Sequence, residues 1–174
     1  MAVNRMLAVR SGPAAATSRG RASIPRAVAM TASAALAVIA SVKGKDALPT
    51  LLAAVGPDQT ANMRFTAMGF LSRLRDPQAE DALERTTATV EDRNLRQVAL
   101  QSLAATGDSA RATSVALRLI GDYDPRFAVS AVQVVGQVGG DAGKAKLRDA
   151  LKKETRVFVR VAMQNALNPR PAGH

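Results

Sequence analysis

Apolar residues fall along this chain with two nested periods. Within short segments they follow the three- and four-residue spacing of an amphipathic helix, and the segments themselves recur every 32 residues. In residues 94–107 (NLRQVALQSLAATG) the apolar stripe is Leu95, Ala99 and Leu103, with Arg96 beside it. Thirty-two residues earlier stand Met63, Arg64, Ala67, Leu71 and Leu74. Thirty-two later come Phe127, Ala131, Val135 and Val138, with Ala128 in place of the arginine, and then Val159, Arg160, Met163 and Leu167. The intervening segments keep the same beat: Leu51, Leu83, Val115 and Leu147 are in phase, and so are Val55, Thr87, Leu119 and Leu151. These stripes predict helices at roughly 27–42, 46–55, 60–74, 77–90, 93–106, 109–121, 125–138, 142–153 and 156–167. No segment reads as a strand.

The breaks carry their own signals. Asp46, Asp58, Asp76, Asp92, Asp108, Asp124 and Asp141 fall close to them. Aspartate is a favoured N-cap, because its carboxylate accepts hydrogen bonds from unpaired first-turn N–H groups. Pro77 and Pro125 each follow such an aspartate, at the first helical position, where a missing N–H costs nothing. Gly56, Gly107, Gly121 and the Gly139–Gly140 pair supply stops. Connections of a few residues make neighbouring helices antiparallel.

The segment from Asp92 to Gly107 resembles the second helix of a HEAT-like repeat, whose pattern runs Asp, then Val-Arg, then Ala and Leu-Gly. Residues 46–55 (DALPTLLAAV) resemble the first helix of such a unit. The resemblance covers about 27–167 and implies an all-α, right-handed α-solenoid of antiparallel helix pairs: about four repeats of 32 residues behind a leading helix. Ankyrin repeats lack support because there is no Thr-Pro-Leu-His motif. Tetratricopeptide repeats lack it because Trp is absent and Tyr123 is the only tyrosine. The array opens on a second-type helix, so 27–42 is either its cap or the sign of a longer product.

Charge divides the chain into three blocks. Residues 1–45 hold seven Lys/Arg and no acid, residues 46–143 nine Arg and twelve acids, and residues 144–174 eight Lys/Arg and two acids. The basic lead at 1–26, broken by Gly12-Pro13, Gly20 and Pro25, reads as disordered. With the uncharged run at 27–42 it also has the layout of a targeting segment. The register of Ala35, Ile39 and Val42 with Ala67, Leu71 and Leu74 favours a repeat helix, and hence a cytoplasmic protein, with export as the alternative. Residues 168–174 read as a flexible tail. The net charge of +10 invites a nucleic-acid partner. The acidic middle interrupts any basic stripe along the array and argues against one, and the run at 27–42 is too short and alanine-rich for a membrane span.

Catalytic chemistry finds little to work with. There is no cysteine, and the only histidine is the last residue, His174. Gly-x-Ser-x-Gly and His-Glu-x-x-His are absent. Gly139-Gly-Asp-Ala-Gly-Lys-Ala145 has the wrong spacing for a phosphate loop and Ala145 where a Ser or Thr is needed. No cofactor is therefore expected. Two rows at the 32-residue period remain. Arg64, Arg96 and Arg160 form either a structural ladder to the turn aspartates Asp58, Asp92 and Asp124, or a set of guanidiniums gripping a carboxylate or phosphate. Gly69, Gln101, Gln133 and Asn165 form a polar row whose amides could hydrogen-bond a peptide backbone. Phe65, Met68 and Phe70 read as core packing. The expectation is a non-enzymatic scaffold that binds a protein or peptide partner on its concave face. The alternative, carried by the HEAT-like resemblance, is an accessory segment of a larger enzyme such as a zinc aminopeptidase or a bilin lyase.

Overall fold

The computed structural model describes residues 26–168, so the expectations for the basic lead and for most of the tail lie outside the described residues. Nine α-helices occur among them: α1 Arg26–Lys43, α2 Leu48–Ala54, α3 Ala61–Leu74, α4 Pro77–Thr89, α5 Arg93–Ala105, α6 Ser109–Leu119, α7 Pro125–Val138, α8 Gly140–Lys153 and α9 Val157–Leu167. They alternate between two rows. Successive odd-numbered helices pack side by side along one row, whereas successive even-numbered helices meet only sparsely.

The in-phase apolar positions form the core between the rows. Leu51, Leu83 and Leu147 are fully buried and Val115 nearly so; Ala67, Ala99, Ala131 and Met163 are all at zero exposure. Alanine at three of these four inner positions lets the odd helices approach closely. Thr87, the one polar member of its row, is buried without cost because its hydroxyl donates to the Glu84 carbonyl at 2.7 Å. Met68 is fully buried, and Phe65 and Phe70 pack against the core. Gly136 on α7 marks a close approach, since a Cβ there would lie 3.0 Å from the Ala166 Cβ of α9.

Caps define most helix starts. Asp76, Asp92, Asp108 and Asp124 accept first-turn N–H groups of α4, α5, α6 and α7, and Pro77 and Pro125 take the first helical position as expected. The other three aspartates do not cap. Thr60 caps α3 in place of Asp58, accepting from the Met63 N–H. Asp46 lies inside a single 3-10 turn, Gly44–Ala47, that splits the expected 46–55 helix and leaves α2 only seven residues. Gly44, at φ +54°, turns the chain sharply there without any side-chain cap. Helix α8 starts at Gly140, two residues early, which puts Asp141 in its first turn, near the positive end of the dipole.

The leading helix forms, but its buried face is turned from the expected register. Leu36 and Ala40 are buried, whereas Ile39 and Val42 are 36% and 80% exposed and Ala35 is exposed too. Inside the array an odd helix packs on odd neighbours at both sides. Among the described residues α1 has only α3, so positions that elsewhere meet the preceding repeat face outward. At the far end, α9 shows the mirror condition in Val157, Phe158 and Val161. None of the described helices is long and apolar enough to cross a membrane.

Candidate functional site

The arginine row does not act uniformly. Arg64 is half-buried, and its Nε donates to the Val55 carbonyl at the end of α2, at 3.0 Å. Arg96 repeats that bond one unit on, Nε to the Thr87 carbonyl at 2.8 Å, and adds an ion pair to Asp122. Both partners of the pair are about nine-tenths buried, and the guanidinium lies 4.0 Å from the centre of the buried Phe127 ring. Arg160 is exposed, with no hydrogen bond or ion pair to its side chain among the described residues.

The expected acid partners are also different. Asp92 and Asp124 accept the first-turn N–H groups of α5 and α7, and Arg96 pairs with Asp122, whose other oxygen accepts the Asp124 backbone N–H. Asp124 meets Arg93 instead, at 3.5 Å, and Asp58 has no partner among the described residues.

Where Ala128 replaces the repeat arginine, the α6–α7 turn is held from both sides. Arg93 and Arg96 reach it from α5. From the other side comes Arg156, just before α9, four residues ahead of the position the period assigns. Its Nη1 donates to the Asp122 carbonyl and its Nη2 to the Ile120 carbonyl, both at 2.6 Å. Glu154 holds that guanidinium in a two-pronged bond, 2.9 Å to Nε and 2.7 Å to Nη2, and also accepts the Arg156 backbone N–H. Hydrogen bonding from the Arg156 side chain holds the Glu154 carboxyl well down, at about 2 against an ordinary 4.5; burial opposes this but does not prevail. A carboxyl depressed on folding stabilises the fold above its unfolded pKa, and that contribution disappears as pH falls towards the folded value. Glu154→Gln is therefore expected to flatten the dependence of the melting temperature on pH between about 4.5 and about 2, relative to wild type. Parallel pH dependences in the two proteins would contradict this role for Glu154.

A second polar seam lies in the even row. Arg111 of α6 meets Glu80, Asp81 and Glu84 of α4, and Arg118 also pairs with Glu84. The acids sit on consecutive turns of α4, and α6 carries its arginines about two turns apart. The 32-residue period could not reveal this seam, because it exists at one junction only. The informative signal was a stripe of acids at 80, 81 and 84 facing basic positions about 30 residues on.

The polar row survives as a surface feature. Gly69, Gln101, Gln133 and Asn165 are all exposed and lie on α3, α5, α7 and α9. Two of them share a cavity. Gln133 and Asn165 face a groove of about 550 Å³ between α7 and α9, along with Phe158, Val161 and Lys144. Phe158 is 79% exposed and lines the groove beside exposed Val161. Its position was visible in the sequence, but the 32-residue stripe does not include it. No three His, Cys, Asp or Glu side chains gather as potential metal ligands among the described residues.

Two rows of antiparallel helix pairs, stacked at a constant repeat and tied by arginines that bind turn carbonyls, define an α-solenoid repeat protein. The family model described as HEAT repeats matches residues 25–104 and 86–168, and the chain belongs to the HEAT-repeat family. No curated protein matches it. Among solved structures it is similar to a chain in the complex of CpcE and CpcF of phycocyanin lyase from Nostoc sp. PCC7120. The identity is 21% and the TM-score 0.58, over 80% of this chain and 89% of that one. At that identity the shared property is the fold.

Proposed function

We propose that this chain is a non-enzymatic scaffold that binds a protein or peptide partner on the face formed by its odd-numbered helices. The odd helices stack closely while the even ones are spaced apart, with α4 and α6 linked through long charged side chains. A stack with one row tighter than the other curves towards the tighter row, so the odd face is the concave one. The single observation that carries the reading is the α7–α9 groove. Two exposed amides, which can both donate and accept, stand there beside exposed Phe158 and Val161. That mixture suits a peptide backbone with one apolar anchor. Arg160 lies exposed on the same helix as Asn165, whereas Arg96 is already committed to Asp122 and Thr87.

The test is photo-cross-linking in the native cell. A photoreactive phenylalanine analogue at Phe158 or Gln133 is expected to trap one discrete partner, and the same analogue at Lys152, exposed on α8, none. Equal yields from all three positions, or no product from either groove position, would overturn the reading.

A second reading, an accessory subunit of a lyase-type enzyme, draws on the similarity to a chain whose solved structure is itself a two-chain complex. It shares the need for a protein partner and differs in the partner's nature. A trapped partner carrying catalytic groups would favour it.

A further inference from the structure

The repeat period allows each junction to be compared with the next, and one comparison exposes an unmatched cation. Arg96 and Arg64 are the same repeat position, and each donates Nε to a carbonyl nine residues earlier. The Arg96 guanidinium then pairs with Asp122. The residue 32 before Asp122 is Val90, which offers nothing to a cation. The outer ion pairs vanish in the same step. Arg118 and Glu84 correspond to Thr86 and Leu52, and Arg111 corresponds to Ala79. Where α4 and α6 are cross-linked, α2 and α4 leave a groove of about 770 Å³ bordered by Arg64, Arg85, Thr86, Val90 and Glu91.

Arg64 has no ion pair among the described residues, and neither does exposed Arg85. The residues outside that range cannot supply a carboxylate side chain, since the first acid of the chain is Asp46 and none follows Glu154. Two acids do border the groove. Asp92 is occupied in capping α5, and Glu91 is exposed and has no ion pair among the described residues.

We propose that the groove between α2 and α4 is a carboxylate-binding site, in which Arg64, oriented by its bond to the Val55 carbonyl, and Arg85 hold an acidic side chain of a protein partner. The incoming carboxylate takes the place relative to Arg64 that Asp122 takes relative to Arg96. Arg64 keeps two terminal nitrogens for it, because its Nε is already engaged, and a guanidinium fixed in this way loses little freedom on binding. The site stands apart from the α7–α9 groove, so its failure would leave that reading untouched.

The test uses a fluorescein-labelled, C-terminally amidated pentaglutamate peptide, with pentaglutamine as control, on the full chain at constant ionic strength. Wild type is expected to bind the glutamate peptide at least tenfold more tightly than the glutamine one. Arg85→Gln and Val90→Asp should each weaken binding at least fivefold, the second by supplying an internal carboxylate to Arg64. Arg64→Gln should do the same, and its melting temperature shows whether the fold is intact. Glu91→Gln should strengthen binding about twofold, and Lys152→Gln should leave it unchanged. The proposal is overturned if Arg85→Gln and Val90→Asp bind as wild type does, or no more weakly than Lys152→Gln. It is also overturned if the two peptides bind alike, or if inorganic phosphate displaces the peptide at equal concentration, which would assign the guanidiniums to phosphate instead.

Discussion

Ala99→Asp is expected to unfold at least one repeat and to remove part of the helical circular-dichroism signal at room temperature. Ala99 has no solvent exposure and sits in α5, which packs on α3, α4 and α7. A carboxylate there has neither water nor a hydrogen-bond donor. Protonation is its escape, and at pH 7 that costs about 4 kcal/mol, from roughly three pH units above an ordinary pKa near 3.9. The added volume costs about 1–3 kcal/mol more in a close-packed core. The sum is comparable with the whole stability of a small domain, about 5–15 kcal/mol. Gln101→Asp, on the exposed side of the same helix, is the control and should cost less than about 1 kcal/mol. If Ala99→Asp melted like wild type, the repeat register itself would be wrong.

Arg96→Ala should be the most damaging single loss of a polar side chain. It removes the cation that neutralises Asp122, leaves the Thr87 carbonyl without its donor, and takes away the guanidinium packed on Phe127. Breaking a buried ion pair from one side costs about 3–5 kcal/mol, chiefly because the other charge stays buried alone. At about 2–4 °C per kcal/mol for a chain of this size, the melting temperature should fall by on the order of 10 °C. Asp122→Asn should recover part of the loss when added to Arg96→Ala, since it deletes the orphaned charge while keeping a hydrogen-bonding group. A double variant no more stable than Arg96→Ala alone would show that the pair is not the source of the effect. Arg160→Ala, at an exposed member of the same row, should change stability by less than about 0.5 kcal/mol.

The helices and their order were legible in the sequence because the two periods are independent and agree. Misses occurred where the period was asked to do local work. Asp58 and Asp141 have the right spacing for caps, yet Thr60 and the Gly139–Gly140 turn start those helices, because the residue in extended or left-handed backbone at the boundary decides the start. Ala35, Ile39 and Val42 keep the register but lose the burial, since register records what a position faces inside an array and α1 stands at an edge of the described one. The arginine row was legible as a row, but the choice of acid was not. Arg96 meets Asp122 although both Asp92 and Asp122 also accept backbone N–H groups, so the choice follows from where the α6–α7 turn lies, and that is a three-dimensional question. Arg156 escaped notice because it stands four residues off the period, although Ala128 marked the place where a substitute would be needed. The α7–α9 groove depends on the exposed positions of α9, about which a stripe of buried residues is silent.

The α6–α7 turn, fastened by arginines from α5 and from the segment before α9, also sets how the array comes apart. In a stacked repeat protein, stability is a sum of the intrinsic stabilities of the units and the couplings between neighbours. Arg96 and Arg156 reach 26 and 34–36 residues along the chain to that one turn, so α6 and α7 cannot loosen without disturbing the units on either side. The reach of Arg64 is nine residues, within its own unit. The polar cross-links between units are therefore concentrated around that one turn, whereas α1 and α2 are joined to α3 by apolar packing through Leu36, Ala40 and Leu51.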